Sequence, residues 1–132
     1  MTFYPAAADT IKNFLDDTNT SPKDYDMIFT GDLGQVGTEL LYELLNSEGI
    51  DINGYHKDCG NMIFDNKKQD VHAGGSGCGC SASVLCSYIL NTMRKGQMKN
   101  VLFCATGALM SPTSSMQGES IPSIAHLINI VL

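Results

Sequence analysis

Charge is scarce in this sequence. Charged residues make up 17% of 132, with 14 carboxylates against 8 Lys and Arg, for a net charge of −6. The few bases form no basic stripe, which argues against a nucleic-acid partner. A small anionic ligand would have to be held by local dipoles, because the overall field opposes it. Long apolar runs are missing too: none approaches the length, about 20 residues, of a membrane-spanning helix. Met1 to Asp9 lacks the basic start and apolar run of a secretory signal. The expectation is a soluble chain, which leaves docking onto a membrane complex open. Regular cysteine spacing is also absent. Cys59, Cys78, Cys80, Cys86 and Cys104 are odd in number and irregularly placed, which argues against a disulfide framework and for a reducing compartment. What remains is 43% apolar and the length of one domain, enough for a single core.

Along the chain the pattern alternates between helix and strand. Pro5 to Asp17 predicts a helix with Ala7, Ile11, Phe14 and Leu15 on one face, fraying at Asp16-Asp17, where acids oppose the helix dipole. Asp26 to Thr30 reads as a short buried parallel strand. It runs into the glycine turn Gly31-Asp32-Leu33-Gly34-Gln35-Val36-Gly37 and a helix to about Asn46, with Leu40, Leu41, Leu44 and Leu45 as its stripe and Ser47-Glu48-Gly49 closing it. Strand, glycine turn and helix is the unit that places ligands at the carboxyl end of a sheet. The Gly-x-x-Gly-x-x-Gly spacing matches neither the dinucleotide fingerprint nor a P-loop. Asp32 reads either as the N-cap of the following helix or as a ligand-facing group. Residues 50–70 are polar and irregular: His56 is expected on a surface loop, Asp58-Cys59-Gly60 at a strand entry, and Met62-Ile63-Phe64 as a short strand. Ala82 to Arg94 predicts a helix burying Val84, Leu85, Tyr88, Ile89 and Met93, stopped by Arg94-Lys95-Gly96. Val101 to Ala105 predicts a second buried strand ending in a Thr106-Gly107 turn, and Ile124 to Leu132 a closing strand. The fold class is α/β, a mixed sheet with helices packed on it.

The densest chemistry lies in His72-Ala73-Gly74-Gly75-Ser76-Gly77-Cys78-Gly79-Cys80-Ser81-Ala82. Glycines at this density let backbone N–H groups approach a ligand, and a helix N-terminus follows directly, where orphan N–H groups favour an anion. The same glycines serve equally well to pack a loop tightly against the helix. A Cys78 or Cys80 nucleophile with His72 as base is poorly preorganised, since both would sit in one flexible loop. Cys-x-Cys with His72 and Cys59 supplies metal-ligand types, but not the spacing of a zinc knuckle, so no metal site is assigned. Cys86 and Cys104 read as core packing, and His126 as a hydrogen-bonded core histidine.

Three blocks carry a resemblance: Thr-Gly-Asp-Leu-Gly-Gln-Val-Gly (30–37), the glycine–cysteine block (72–82) and Val-Leu-Phe-Cys-Ala-Thr-Gly-Ala-Leu (101–109), extended by Ser-Pro-Thr-Ser (111–114) and Gln-Gly-Glu-Ser-Ile-Pro-Ser-Ile-Ala-His (117–126). Together they resemble the stage V sporulation protein AD family of spore-forming Firmicutes. The resemblance implies a thiolase-like fold of two similar halves, of which residues 1–132 form one partial domain, the C-terminal half. It also implies a non-catalytic protein that binds dipicolinic acid or its Ca2+ complex, and works with other spore dipicolinate-channel proteins during uptake into the spore. Its expected place is peripheral, on the cytoplasmic face of the forespore or spore inner membrane. No cofactor is implied. Partners would include a homo-oligomeric copy or the missing N-terminal half. Compared with condensing enzymes, Thr30-Gly31-Asp32 falls where their catalytic histidine lies and residues 74–81 where their asparagine lies, and neither is present. The expected pocket is the backbone of Gly74, Gly75, Ser76, Gly77, Cys78 and Gly79, with His72, Asp32, Thr106 and Gly107 nearby. The alternatives are a residual acyltransferase using Cys78 or Cys80, and a split-gene fragment without independent activity.

Overall fold

In the computed structural model, which describes residues 4–63, 84–108 and 123–132, helix α1 (Tyr4–Thr18) leads through a 3-10 turn (Pro22–Asp24) into strand β1 (Met27–Thr30). Helix α2 (Gly34–Ser47), strand β2 (His56–Asp58) and the short helix α3 (Cys59–Ile63) follow. A π-helical turn (Leu85–Ile89) continues into helix α4 (Leu90–Arg94), and strands β3 (Asn100–Ala108) and β4 (Ser123–Val131) come last. The α/β class and the mixed sheet are as the sequence indicates. The strand order is β2-β1-β3-β4, with β1 parallel to both neighbours and β4 antiparallel to β3.

Period-two alternation in β1 and β3 splits the interior in two. Ile28, Leu102 and Cys104 face α1 and α2, where they pack with Ala7, Ile11, Leu15, Leu41 and Leu45. Phe29, Val101 and Phe103 face the opposite side and pack with Val84, Ile89, Met93 and Met98 around α4. Helix α1 reaches across to the far edge, where the Thr10 hydroxyl donates to the Ala125 carbonyl at 2.8 Å.

The helices end as their residues dictate. Asn19, Gly49 and Gly96 have φ of 53°, 77° and 79° just beyond α1, α2 and α4. In each case the next N–H turns back to the last helical turn: Thr20 to the Leu15 carbonyl, Ile50 to Leu45 and Gln97 to Thr92. These are Schellman closures, so α1 is capped rather than frayed at Asp16-Asp17.

Several expectations fail. Residues 59–63 are helical, not a strand, because Asp58 ends β2 and accepts from the Asn61 N–H to open α3. Thr106 and Gly107 continue β3, held by the antiparallel register with β4 through Ala108. Tyr88 is 39% exposed and Cys86 is exposed, whereas Val84, Ile89 and Met93 are buried as expected. The π-helical turn displaces the face that a 3.6-residue period assigns. His126 is exposed on the edge strand β4 instead of in the core. Among the described residues no helix is long and apolar enough to cross a membrane.

Candidate functional site

The carboxyl ends of the parallel strands converge. Thr30 is in register with Asp58 on one side and Cys104 on the other, and the Gly31 N–H donates to the Cys104 carbonyl at 3.0 Å. The turn carrying Asp32 and the start of α3 therefore leave the sheet side by side, next to the Ala105–Gly107 stretch of β3, which runs on past the end of β1 paired only with β4.

A buried polar chain underlies this end of the sheet. His56, expected on a surface loop, is 8% exposed inside β2, and Asp58 is 2% exposed. The single Thr30 hydroxyl proton goes to Asp58 Oδ1 at 2.5 Å, so Thr30 Oγ1 must accept from His56 Nε2, 2.9 Å away. That leaves Nδ1 as an acceptor for the Tyr42 hydroxyl at 2.8 Å, with the two rings edge-to-face at 5.3 Å. The hydrogen bonds thus run in one direction, Tyr42 to His56 to Thr30 to Asp58, and fix a neutral Nε2–H tautomer. Burial is the cause of the low His56 pKa, pushed down from 6.5 to about 4. The Tyr42 hydroxyl is shifted up, chiefly by burial and then by the Asp58 charge.

Asp58 also closes the entry to α2. Leu33 is in the right-handed region (φ −84°, ψ −31°) and Gly34 has φ 75°. Successive N–H groups in such a right-then-left pair point into one concavity, a nest that binds anions. The anion here is internal: the Leu33 N–H donates to Asp58 Oδ1 at 2.8 Å and the Gly34 N–H to Oδ2 at 3.0 Å. Asp32 is therefore not the N-cap. Leu33 holds that position without a side-chain cap bond, and the acceptor comes from 24 residues downstream. Burial raises the Asp58 pKa, opposed by its hydrogen bonds from Thr30, Leu33, Gly34 and Asn61.

Beside the chain lies a cleft of about 350 Å³ lined by Thr38, Tyr42, His56, Lys57, Asp58, Asn61 and Met62. Asn61 Nδ2 donates to Thr38 Oγ1 at 3.2 Å. On the inner strand Cys104 is buried, and that burial pushes its thiol up to about 12, which disfavours a reactive thiolate there.

Of the expected pocket residues, Asp32, Thr106 and Gly107 lie at this sheet end, the last two within β3 rather than in a turn. His72, Gly74, Gly75, Ser76, Gly77, Cys78 and Gly79 lie outside the described residues. Among the described residues, no cluster of three or more His, Cys, Asp or Glu could hold a metal ion. His56 and Asp58 were missed as site-forming residues. Their one sequence signal is the i, i+2 spacing of two polar groups in a segment that pairs with Thr30.

Over 122 residues the chain is 48% identical to stage V sporulation protein AD of Bacillus subtilis (strain 168), covering 92% of this chain. It spans 36% of that relative's length. The family model described as stage V sporulation protein AD (SpoVAD) matches residues 1–131. The chain belongs to the stage V sporulation protein AD family.

Proposed function

We propose that this chain is part of a non-catalytic binding protein for dipicolinic acid, acting in its uptake into the developing spore. Family membership supports the sporulation role, and the glycine-rich block 72–82 supports a flat, anionic ligand held by backbone donors. The observation that carries the non-catalytic reading is the state of His56 and Asp58. Both imidazole nitrogens of His56 are engaged, and Asp58 receives four hydrogen bonds. A general base needs a free lone pair within reach of a substrate proton, and these two groups offer none. They are structural. The thiolase-like two-half architecture belongs to this reading as well: the length present in the relative but not here would supply the other wall of the pocket.

Ligand selection follows from charge. Dipicolinate is a dianion, and Asp32 at the sheet end repels it unless Ca2+, which takes oxygen ligands, bridges the two. The protein would act peripherally at the forespore membrane with the other proteins that load this compound. Titration calorimetry of the full-length protein bearing this sequence, with dipicolinate in the presence and absence of Ca2+, tests the reading. Saturable heat is expected, larger with Ca2+. No heat under either condition refutes dipicolinate binding.

A further inference from the structure

The four donors to Asp58 come from the end of β1 (Thr30), the entry to α2 (Leu33 and Gly34) and the first turn of α3 (Asn61). These pieces flank the Asp32 turn on one side and begin the segment leading to the glycine-rich block on the other. The nest at Leu33–Gly34 would bind an external anion if it were empty, but it is spent on holding this carboxylate. Behind Asp58, Thr30, His56 and Tyr42 form a file of hydrogen bonds whose direction admits one arrangement.

We propose that Asp58 is the positioning residue of the sheet-end binding site, clamping the Asp32 turn to the start of α3, with Tyr42 and His56 setting the orientation of the clamp. The affinity consequence rests on the dipicolinate reading; the clamping does not. Asp58→Asn is nearly isosteric, but it removes the charge and turns an N–H₂ group towards one of the nest donors. Groups that orient a binding site from behind characteristically affect its affinity without touching the ligand.

The test pairs amide hydrogen exchange with dipicolinate calorimetry on the full-length protein. In Asp58→Asn the Leu33 and Gly34 amides should exchange about tenfold faster, the factor that loss of a typical cap produces, while the Leu45 amide at the far end of α2 changes less. Dipicolinate affinity should fall by about tenfold or more. Leu15→Ala, a core truncation in α1, serves as the destabilised control and should keep wild-type affinity. Wild-type affinity in Asp58→Asn, or an equal loss in Leu15→Ala, overturns the positioning role. Should the wild type give no heat, the dipicolinate reading fails by itself, and exchange decides the clamp: unchanged protection at Leu33 and Gly34 refutes it. If Asp58→Asn does not fold, Tyr42→Phe takes its place. It should speed the same two amides by a smaller factor, about threefold for one weakened hydrogen bond, and no selective change there overturns the proposal.

Discussion

Replacing His56 with Gln should remove an acid sensitivity written into the sheet. The folded protein holds His56 neutral down to about pH 4, whereas the unfolded chain protonates it near 6.5. Above pH 7 the imidazole is neutral in both states, and its contribution is fully present. Between 6.5 and 4 the unfolded chain takes up a proton that the folded one refuses, so stability falls as the pH falls. Each pH unit in that window removes about 1.4 kcal/mol, and the whole window about 3 kcal/mol, a large share of a typical domain's stability. Below about pH 4 the loss stops growing. Asp58 acts with the opposite sign, since its raised pKa lets the folded state take a proton more readily, and its contribution grows as the pH falls through that value. Both proteins retain Asp58, so the difference between them isolates His56. The assay is urea unfolding of wild type and His56→Gln at half-unit steps from pH 4 to 8. The wild-type advantage should be constant above pH 7 and shrink by about 3 kcal/mol towards pH 4. Parallel curves across the range would falsify the assignment of a buried, neutral His56.

Two further outcomes test other parts of the site. Gly34→Ala places a Cβ at φ 75°, which costs about 1–2 kcal/mol and tilts the two nest N–H groups away from Asp58; a thermal melt should drop by several degrees, and an unchanged melting temperature refutes the nest geometry. Iodoacetamide at neutral pH, with peptide mapping, should label the exposed Cys86 and spare Cys104, whose buried thiol sits up at about 12; labelling of Cys104 before unfolding contradicts its burial.

Much of the fold was legible because it is locally encoded. The apolar runs at 27–30 and 101–105 and the 3.6-residue stripes of α1 and α2 speak for themselves. So do Gly49 and Gly96, which supply the left-handed backbone that ends a helix. Strand β2 was not legible. His-Lys-Asp has no apolar residue, and its extended form is specified by pairing with β1 and by partners at Thr30, 26 and 28 residues away. The same non-local cause hid Asp58 as the cap of α2, while Asp32 stood nearer in sequence and looked the better candidate. Tyr88 and Cys86 were misassigned for a local reason, since a π-helical turn is not announced by its residues. The glycine-rich block is plain in the sequence, but its meaning comes from the family resemblance rather than from geometry.

The reach of α1 across the sheet has a consequence for how the chain acquires its structure. Thr10 is bonded to Ala125, 115 residues later, and β1 finds its central partner β3 only at residues 101–104. Contacts of this separation are slow to form, because the loop entropy is lost before the contacts repay it. During synthesis α1 and α2 can emerge and pair with one another, yet their apolar faces stay wet until β3 arrives, and the face of α1 opposite β4 until β4 does. The chain therefore carries a long interval in which its first core is assembled from one side only. A chaperone or a partner that shields those two helices would act on them most strongly before β4 is made.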